Sequence, residues 1–95
     1  MEQSASVRWR IRFSGSVQHV GFRYTAYYLA RCLCLTGWVD NLPDGSVLME
    51  VQGSVTQIRK LLVQLKSQPH LHITDLQITE IEKVPFERRF SVRGH

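Results

Sequence analysis

The apolar residues of the N-terminal third change period once, and the change is abrupt. Val7, Trp9, Ile11 and Phe13 alternate with Arg8, Arg10, Arg12 and Ser14, the period-two pattern of a strand with one buried face. Further on, Phe22, Ala26, Leu29, Ala30 and Leu33 fall at i, i+4, i+7, i+8 and i+11, which is one apolar stripe of a helix. Between the two lies Gly15-Ser16-Val17-Gln18-His19-Val20-Gly21. A glycine-bounded loop in that place delivers backbone N–H groups to a helix N-terminus, where unpaired donors and about half a positive charge favour an anion. Arg23 sharpens the reading. A cation in the first helical turn is opposed by the macrodipole by roughly 0.3–1 kcal/mol unless an anion sits there. Its guanidinium fork could grip a phosphate bidentately while the loop amides bind the other oxygens. On this pattern alone, a phosphate-gripping Arg23 and a solvated surface arginine both stay open.

The rest of the chain continues in short elements. Thr36-Gly37 predicts a helix stop, Trp38–Leu42 a second strand, and Pro43-Asp44-Gly45 a tight turn into a strand over 46–52. Gly53-Ser54 predicts a break, with Ser54 as N-cap of a helix whose stripe is Val55, Ile58, Leu61, Leu62 and Leu65 and which ends before Pro69. Leu76 and Ile78 begin a further strand, but Ile81 and Val84 leave its phase, predicting a bulge or an early end. Phe90 and Val92 predict a short closing strand. The order β-α-β-β-α-β with a terminal strand folds, by short right-handed connections, into an α+β ferredoxin-like sandwich: an antiparallel sheet with both helices on one face. Trp9, Ile11, Val47, Met49 and Phe90 are expected in the core, and Arg8, Arg10 and Arg12 on the opposite sheet face.

Ninety-five residues predict one domain, 1–95, with residues 1–6 as a flexible lead. The net charge of +4 favours anionic ligands without choosing among small phosphates, nucleic acid and acidic surfaces. The polar N-terminus and the absence of an 18-residue apolar run point to a cytoplasmic protein with no membrane partner. Cys32 and Cys34 stand at i, i+2, a spacing that does not form a local helical disulfide, and are expected as helix filler.

Two stretches together carry a family resemblance. Gly15-x-Val17-Gln18-x-Val20-x-Phe22-Arg23, followed by Gly37-Trp38-Val39-x-Asn41-x-x-Asp44-Gly45-x-Val47, resembles the two signatures of the acylphosphatases, including the spacing within and between them. The resemblance implies an enzyme that hydrolyses acyl phosphates, R–CO–O–PO₃, to carboxylate and inorganic phosphate, with no metal and no organic cofactor. It implies that Arg23 and the amides of Ser16 to Val20 bind the phosphoryl group, or inorganic phosphate, and that Asn41 holds the attacking water in line with the leaving carboxylate. The chemistry is coherent from below, because an acyl phosphate has a good leaving group and mainly demands positioning and charge stabilisation. A neutral amide orients water by donating and accepting. Gly15 and Gly21 are read as backbone devices, Val17, Val20 and Phe22 as anchors of the loop, and Asp44-Gly45 as the turn.

His19 departs from the family pattern, which has glycine there. A left-handed backbone would cost a side chain on the order of 1 kcal/mol. When protonated, His19 is expected to strengthen anion binding towards acidic pH; an exposed imidazole without a role is the plain alternative. His70-x-His72 lacks a third ligand at a suggestive spacing and is read as a solvated connection rather than a metal site. Two rival functions share this fold. One is a binding module for acyl phosphate, carbamoyl phosphate or phosphate without turnover. The other is an RNA-binding module, which the absence of aromatic residues from 47–52 argues against. A monomer without nucleic acid is the expectation.

Overall fold

The computed structural model describes residues 5–94. Its elements are β1 (Ser6–Ser16), α1 (Phe22–Cys32), β2 (Thr36–Asn41), β3 (Val47–Ser54), α2 (Val55–Lys66), β4 (His72–Ile81) and β5 (Phe90–Val92). They form one five-stranded sheet in the order β4-β1-β3-β2-β5 with two helices, the ferredoxin-like arrangement expected. The sheet is mixed rather than antiparallel, because β5 runs parallel to β2. The chain returns through residues 82–89 and enters β5 along the outer edge of β2, in the same direction. Arg93 N–H donates to the Val39 carbonyl at 2.8 Å and its guanidinium lies 4.1 Å from the Trp38 ring centroid, so β5 is held by side-chain as well as ladder contacts. Ser6 is already strand, paired with Ser54; of the expected flexible lead, residues 1–4 lie outside those described, as does His95.

Ile11, Phe13, Val47, Met49 and Phe90 join Ala26, Ala30, Ile58, Leu61 and Leu65 in the core, while Trp9 is only half-buried against it. The α1 stripe ends differently from expectation. Leu35 N–H donates to the Ala30 carbonyl at 2.9 Å and Cys34 N–H to Arg31 at 3.1 Å, the paired bonds of a Schellman cap. Cys34 takes the left-handed position with φ 58, which glycine usually fills. Both cysteines are exposed, so neither is filler, and Cys34 lies beyond the helix. Thr36 and Gly37 open β2 instead of closing α1. Gly53 and Ser54 likewise end β3 in register with Val7 and Ser6, and Ser54 still caps α2, accepting the Gln57 N–H at 3.1 Å.

The expected irregularity of β4 falls earlier than Ile81. Ser14 pairs with Asp75 and Gly15 with Ile73, which leaves Thr74 as the extra residue of a bulge. Ile81 remains in the strand opposite Arg8, so it leaves the phase of Leu76 and Ile78 because it faces the other side of the sheet.

That other side carries the β1 arginines as expected, and it is covered at Arg8. Glu87 and Glu50 hold its guanidinium at 2.8 and 3.0 Å, and only 2% of it is exposed. The Gln52 carboxamide pairs with both backbone groups of Val84, at 2.8 and 3.0 Å, strapping residues 84–87 across the sheet. Arg10 pairs with the second oxygen of Glu50, and Arg12 with Asp44. Burial pushes the Glu50 carboxyl up, but the hydrogen bonds from Arg10 and Arg8 outweigh it and hold the group below its ordinary 4.5.

Two expectations follow. A Cβ on Gly15 would sit 2.1 Å from the His72 carbonyl oxygen, whereas one on Gly45 would meet nothing within 4 Å. Gly15→Ala should therefore cost at least about 3 kcal/mol in urea unfolding, against about 1 kcal/mol for Gly45→Ala, which carries only its positive φ. Because the folded-state pKa of Glu50 is depressed, the stability from its ion pairs is present above pH 4.5 and lost as pH falls below it. Thermal melts of Glu50→Gln should show a lower Tm at neutral pH and a shallower acid decline than the parent.

Candidate functional site

Gly15 ends the free part of β1 because β4 passes against it, and Ser16 still pairs with His72. The loop proper is therefore shorter than expected, beginning at Val17, which is fully buried. The Gln18 side chain turns back on the fold. Its carboxamide nitrogen donates to the Leu42 and Ser46 carbonyls at 2.7 and 2.8 Å, both of which belong to the β2–β3 turn. His19 is left-handed at φ 64 and Gly21 at φ 82, so the loop reverses twice before α1. Gly21 is the N-cap without any side-chain bond, and no acidic residue stands in the first helical turn. Phe22 anchors the helix start, its ring 4.8 Å from that of Phe13.

The same turn fixes the opposite wall. Asn41 is the last residue of β2 and pairs with Val47, which pairs with Phe13. The end of β2 thus lies level with Phe13 of β1, one strand apart. Asp44 locks the turn by accepting from the Ser46 N–H at 2.9 Å and the Ser46 hydroxyl at 2.6 Å, and by its pairing with Arg12. Asp44 therefore does more than the turn-forming expected of it.

Val17, His19, Gly21, Arg23, Tyr24 and Asn41 line a cleft of about 190 Å³. Arg23 enters from the first turn of α1, its Nη1 donating to the Arg93 carbonyl at 2.5 Å. It lies close to Asp40, since both side chains approach Gly94. Among the described residues no hydrogen bond occupies the Asn41 carboxamide. Of the residues expected at the site, Gly15, Ser16, Gln18 and Val20 do not line the cleft, and Gln18 ties its loop to the β2–β3 turn. Tyr24, exposed at the cleft's rim, escaped the sequence reading because a tyrosine after Arg23 gives no periodic or chemical signal. His70 stands behind the helix start, 3.4 Å from the Thr25 hydroxyl, and His72 opens β4. Among the described residues no three of His, Cys, Asp and Glu could hold a metal together.

At about 190 Å³ the cleft is smaller than the pockets that take drug-sized ligands. The first turn of α1, the loop before it, the Arg23 side chain and Asn41 meet at this cleft on a ferredoxin-like scaffold. The sequence model of the acylphosphatase family matches residues 9–92, and the chain belongs to that family. It is 48% identical to an acylphosphatase of Clostridium perfringens over 59 residues, which span 62% of this chain and 66% of that one. The crystal structure of acylphosphatase from Bacillus subtilis superposes with a TM-score of 0.85 at 32% identity, covering 93% of this chain and 99% of that one. HypF of T. kodakarensis gives a TM-score of 0.79 at 28% identity over 99% of this chain, which corresponds to 12% of that protein.

The left-handed backbone at His19 carries its own test. His19→Gly should leave stability unchanged or raise it slightly, whereas the β-branched His19→Val should cost about 1–2 kcal/mol. Urea unfolding of the three proteins measures both.

Proposed function

We propose that this chain hydrolyses acyl phosphates to carboxylate and inorganic phosphate, acting as a monomer in the cytoplasm. The observation that carries this is the meeting of Arg23, the α1 N-terminus and the unoccupied Asn41 carboxamide in one phosphate-sized cleft. In this reading the amides of the 17–20 segment, that of Ser16 behind them and the Arg23 guanidinium bind the phosphoryl oxygens. Asn41 accepts a hydrogen bond from a water and aims its lone pair at phosphorus. The P–O bond to the acyl oxygen breaks as the water oxygen bonds to phosphorus, the carboxylate departs towards solvent, and the water proton is lost to it or to bulk.

No general base is required of the protein, since the leaving carboxylate is stable at neutral pH. The negative charge of the equatorial oxygens is met by the guanidinium and the backbone dipoles, so the reading includes no metal. The cleft holds the phosphoryl end and leaves the acyl group outside, where Tyr24 and His19 form the rim. That geometry supports selectivity at the phosphate and tolerance of the acyl part. The arginine row on β1 pairs with Glu50, Glu87 and Asp44, which supports a role without RNA. No described helix is long and apolar enough to cross a membrane.

The likeness to HypF and the histidine at position 19 keep one second reading in view, a domain that binds the phosphoryl group without turning it over. Hydrolysis of benzoyl phosphate in chelator separates the two. The parent should be active, and folded Arg23→Ala and Asn41→Ala should each lose about a hundredfold or more in kcat. A folded, inactive parent that binds phosphate through Arg23 would replace hydrolysis with binding.

A further inference from the structure

A more spacious cleft lies elsewhere. It encloses about 550 Å³ between the C-terminal end of α1, the start of β2 and the segment entering β5, and Tyr27, Arg31, Cys34, Arg88 and Arg89 form its walls. The length of α1 separates it from Arg23 by about 15 Å. Three arginines line this cleft, and no acidic side chain does.

The distribution of charge over the fold makes this concentration unusual. Each arginine of β1 faces a carboxylate: Arg8 faces Glu50 and Glu87, Arg10 faces Glu50, and Arg12 faces Asp44. Glu87 adjoins Arg88 in sequence, yet its carboxylate is committed to Arg8 across the sheet. Arg31, Arg88 and Arg89 have no ion-pair partner among the described residues. Arg31 donates only to the Tyr27 hydroxyl, at 3.3 Å, and lies 5.5 Å from the centroid of that ring.

A plainer account is that Arg31 answers the negative end of α1. That end, however, carries at most about half a charge, and its carbonyls at Leu29, Ala30 and Arg31 already accept the N–H groups of Leu33, Cys34 and Leu35. It does not account for three guanidiniums. Arg31 also forms a wall of a second cleft of about 310 Å³ with Tyr28 and Cys32. The Tyr27 and Tyr28 rings are set edge-on, 5.1 Å apart.

We infer that this cleft is a second anion site, which takes a ligand carrying several linked phosphates. Guanidinium forks match phosphate oxygens bidentately. Three of them around one concavity of this size suit a polyphosphate chain better than a single phosphate, which the smaller loop cleft already fits. The tyrosines beside Arg31 offer a stacking face to a base, so the polyphosphate could be inorganic or borne by a nucleoside; the shared chemistry is the phosphate chain.

Calorimetric titration with tripolyphosphate tests the inference. Two ions should bind the parent, with one site lost in Arg23→Ala and the other weakened at least about tenfold in the Arg31→Ser/Arg88→Ser/Arg89→Ser variant, which should retain its Tm and its phosphate binding at the loop. A second readout does not depend on affinity at the loop. In Cys32→Ser protein, tripolyphosphate should slow alkylation of Cys34 by iodoacetamide saturably, and this protection should vanish when the three arginines are replaced. Tighter binding of ATP than of tripolyphosphate would support the site and assign the tyrosine face to a base; equal binding would support it for the phosphate chain alone. A single site abolished by Arg23→Ala, or unchanged binding and no Cys34 protection in the triple variant, would overturn it.

Discussion

Two hydrogen bonds from one carboxamide set the geometry on which the loop cleft depends. The Gln18 nitrogen donates to the carbonyls of Leu42 and Ser46, and so ties the loop after β1 to the turn after β2. Arg23 follows that loop by a few residues, and Asn41 immediately precedes that turn. Without the tie, each would belong to a separate exposed connection, and connections are the most mobile parts of a fold. A glutamine suits the task because its two N–H groups can serve two acceptors at once. Their distance from each other is fixed in turn by Leu42 N–H bonding to Ser46 at 2.9 Å.

The loop can be strained because everything around it is not. Val17 is fully buried, the Phe22 ring packs tilted against Phe13, and Gly15 lies close against β4. These anchors over-determine the path between them, which is the condition under which a left-handed non-glycine residue persists. His19 therefore keeps a left-handed backbone at the cleft wall without being glycine. The same logic applies to Cys34. Its left-handed φ closes α1 and turns the chain into β2, so its position in the arginine cleft follows from helix capping rather than from thiol chemistry.

Much of this was legible in the sequence where a periodic signal meets a chemical one. The alternation from Val7 to Ser14, the two helical stripes, the Asp44-Gly45 turn and the Ser54 cap each predicted the element found. The loop and Asn41 were legible through their spacing, and the structure brings Arg23 and Asn41 into one cleft. What failed was non-local. The Schellman cap at Cys34 could not be read because cysteine carries no conformational signature. Gly37 resembled a helix stop, yet its lack of a side chain serves the approach of the Glu50 carbonyl, 1.9 Å from where a Cβ would lie. The parallel placement of β5 depends on where residues 82–89 cross the sheet, and no local pattern records that crossing.

Arg8 shows how the two charge distributions of the molecule are linked. A guanidinium 2% exposed needs a matched partner, since an unpaired buried charge is far more costly than a surface one. Glu87 supplies such a partner by bringing its segment over the sheet, and this crossing sets down Arg88 and Arg89 at the entry to β5. The carboxylate that satisfies Arg8 is thereby removed from the neighbours that would otherwise share it. Burial of Arg8 on the sheet face and the placement of Arg88 and Arg89 beside Arg31 of α1 are consequences of a single chain path, so two of the three arginines in the cleft are held there by the same segment that supplies the Arg8 ion pair.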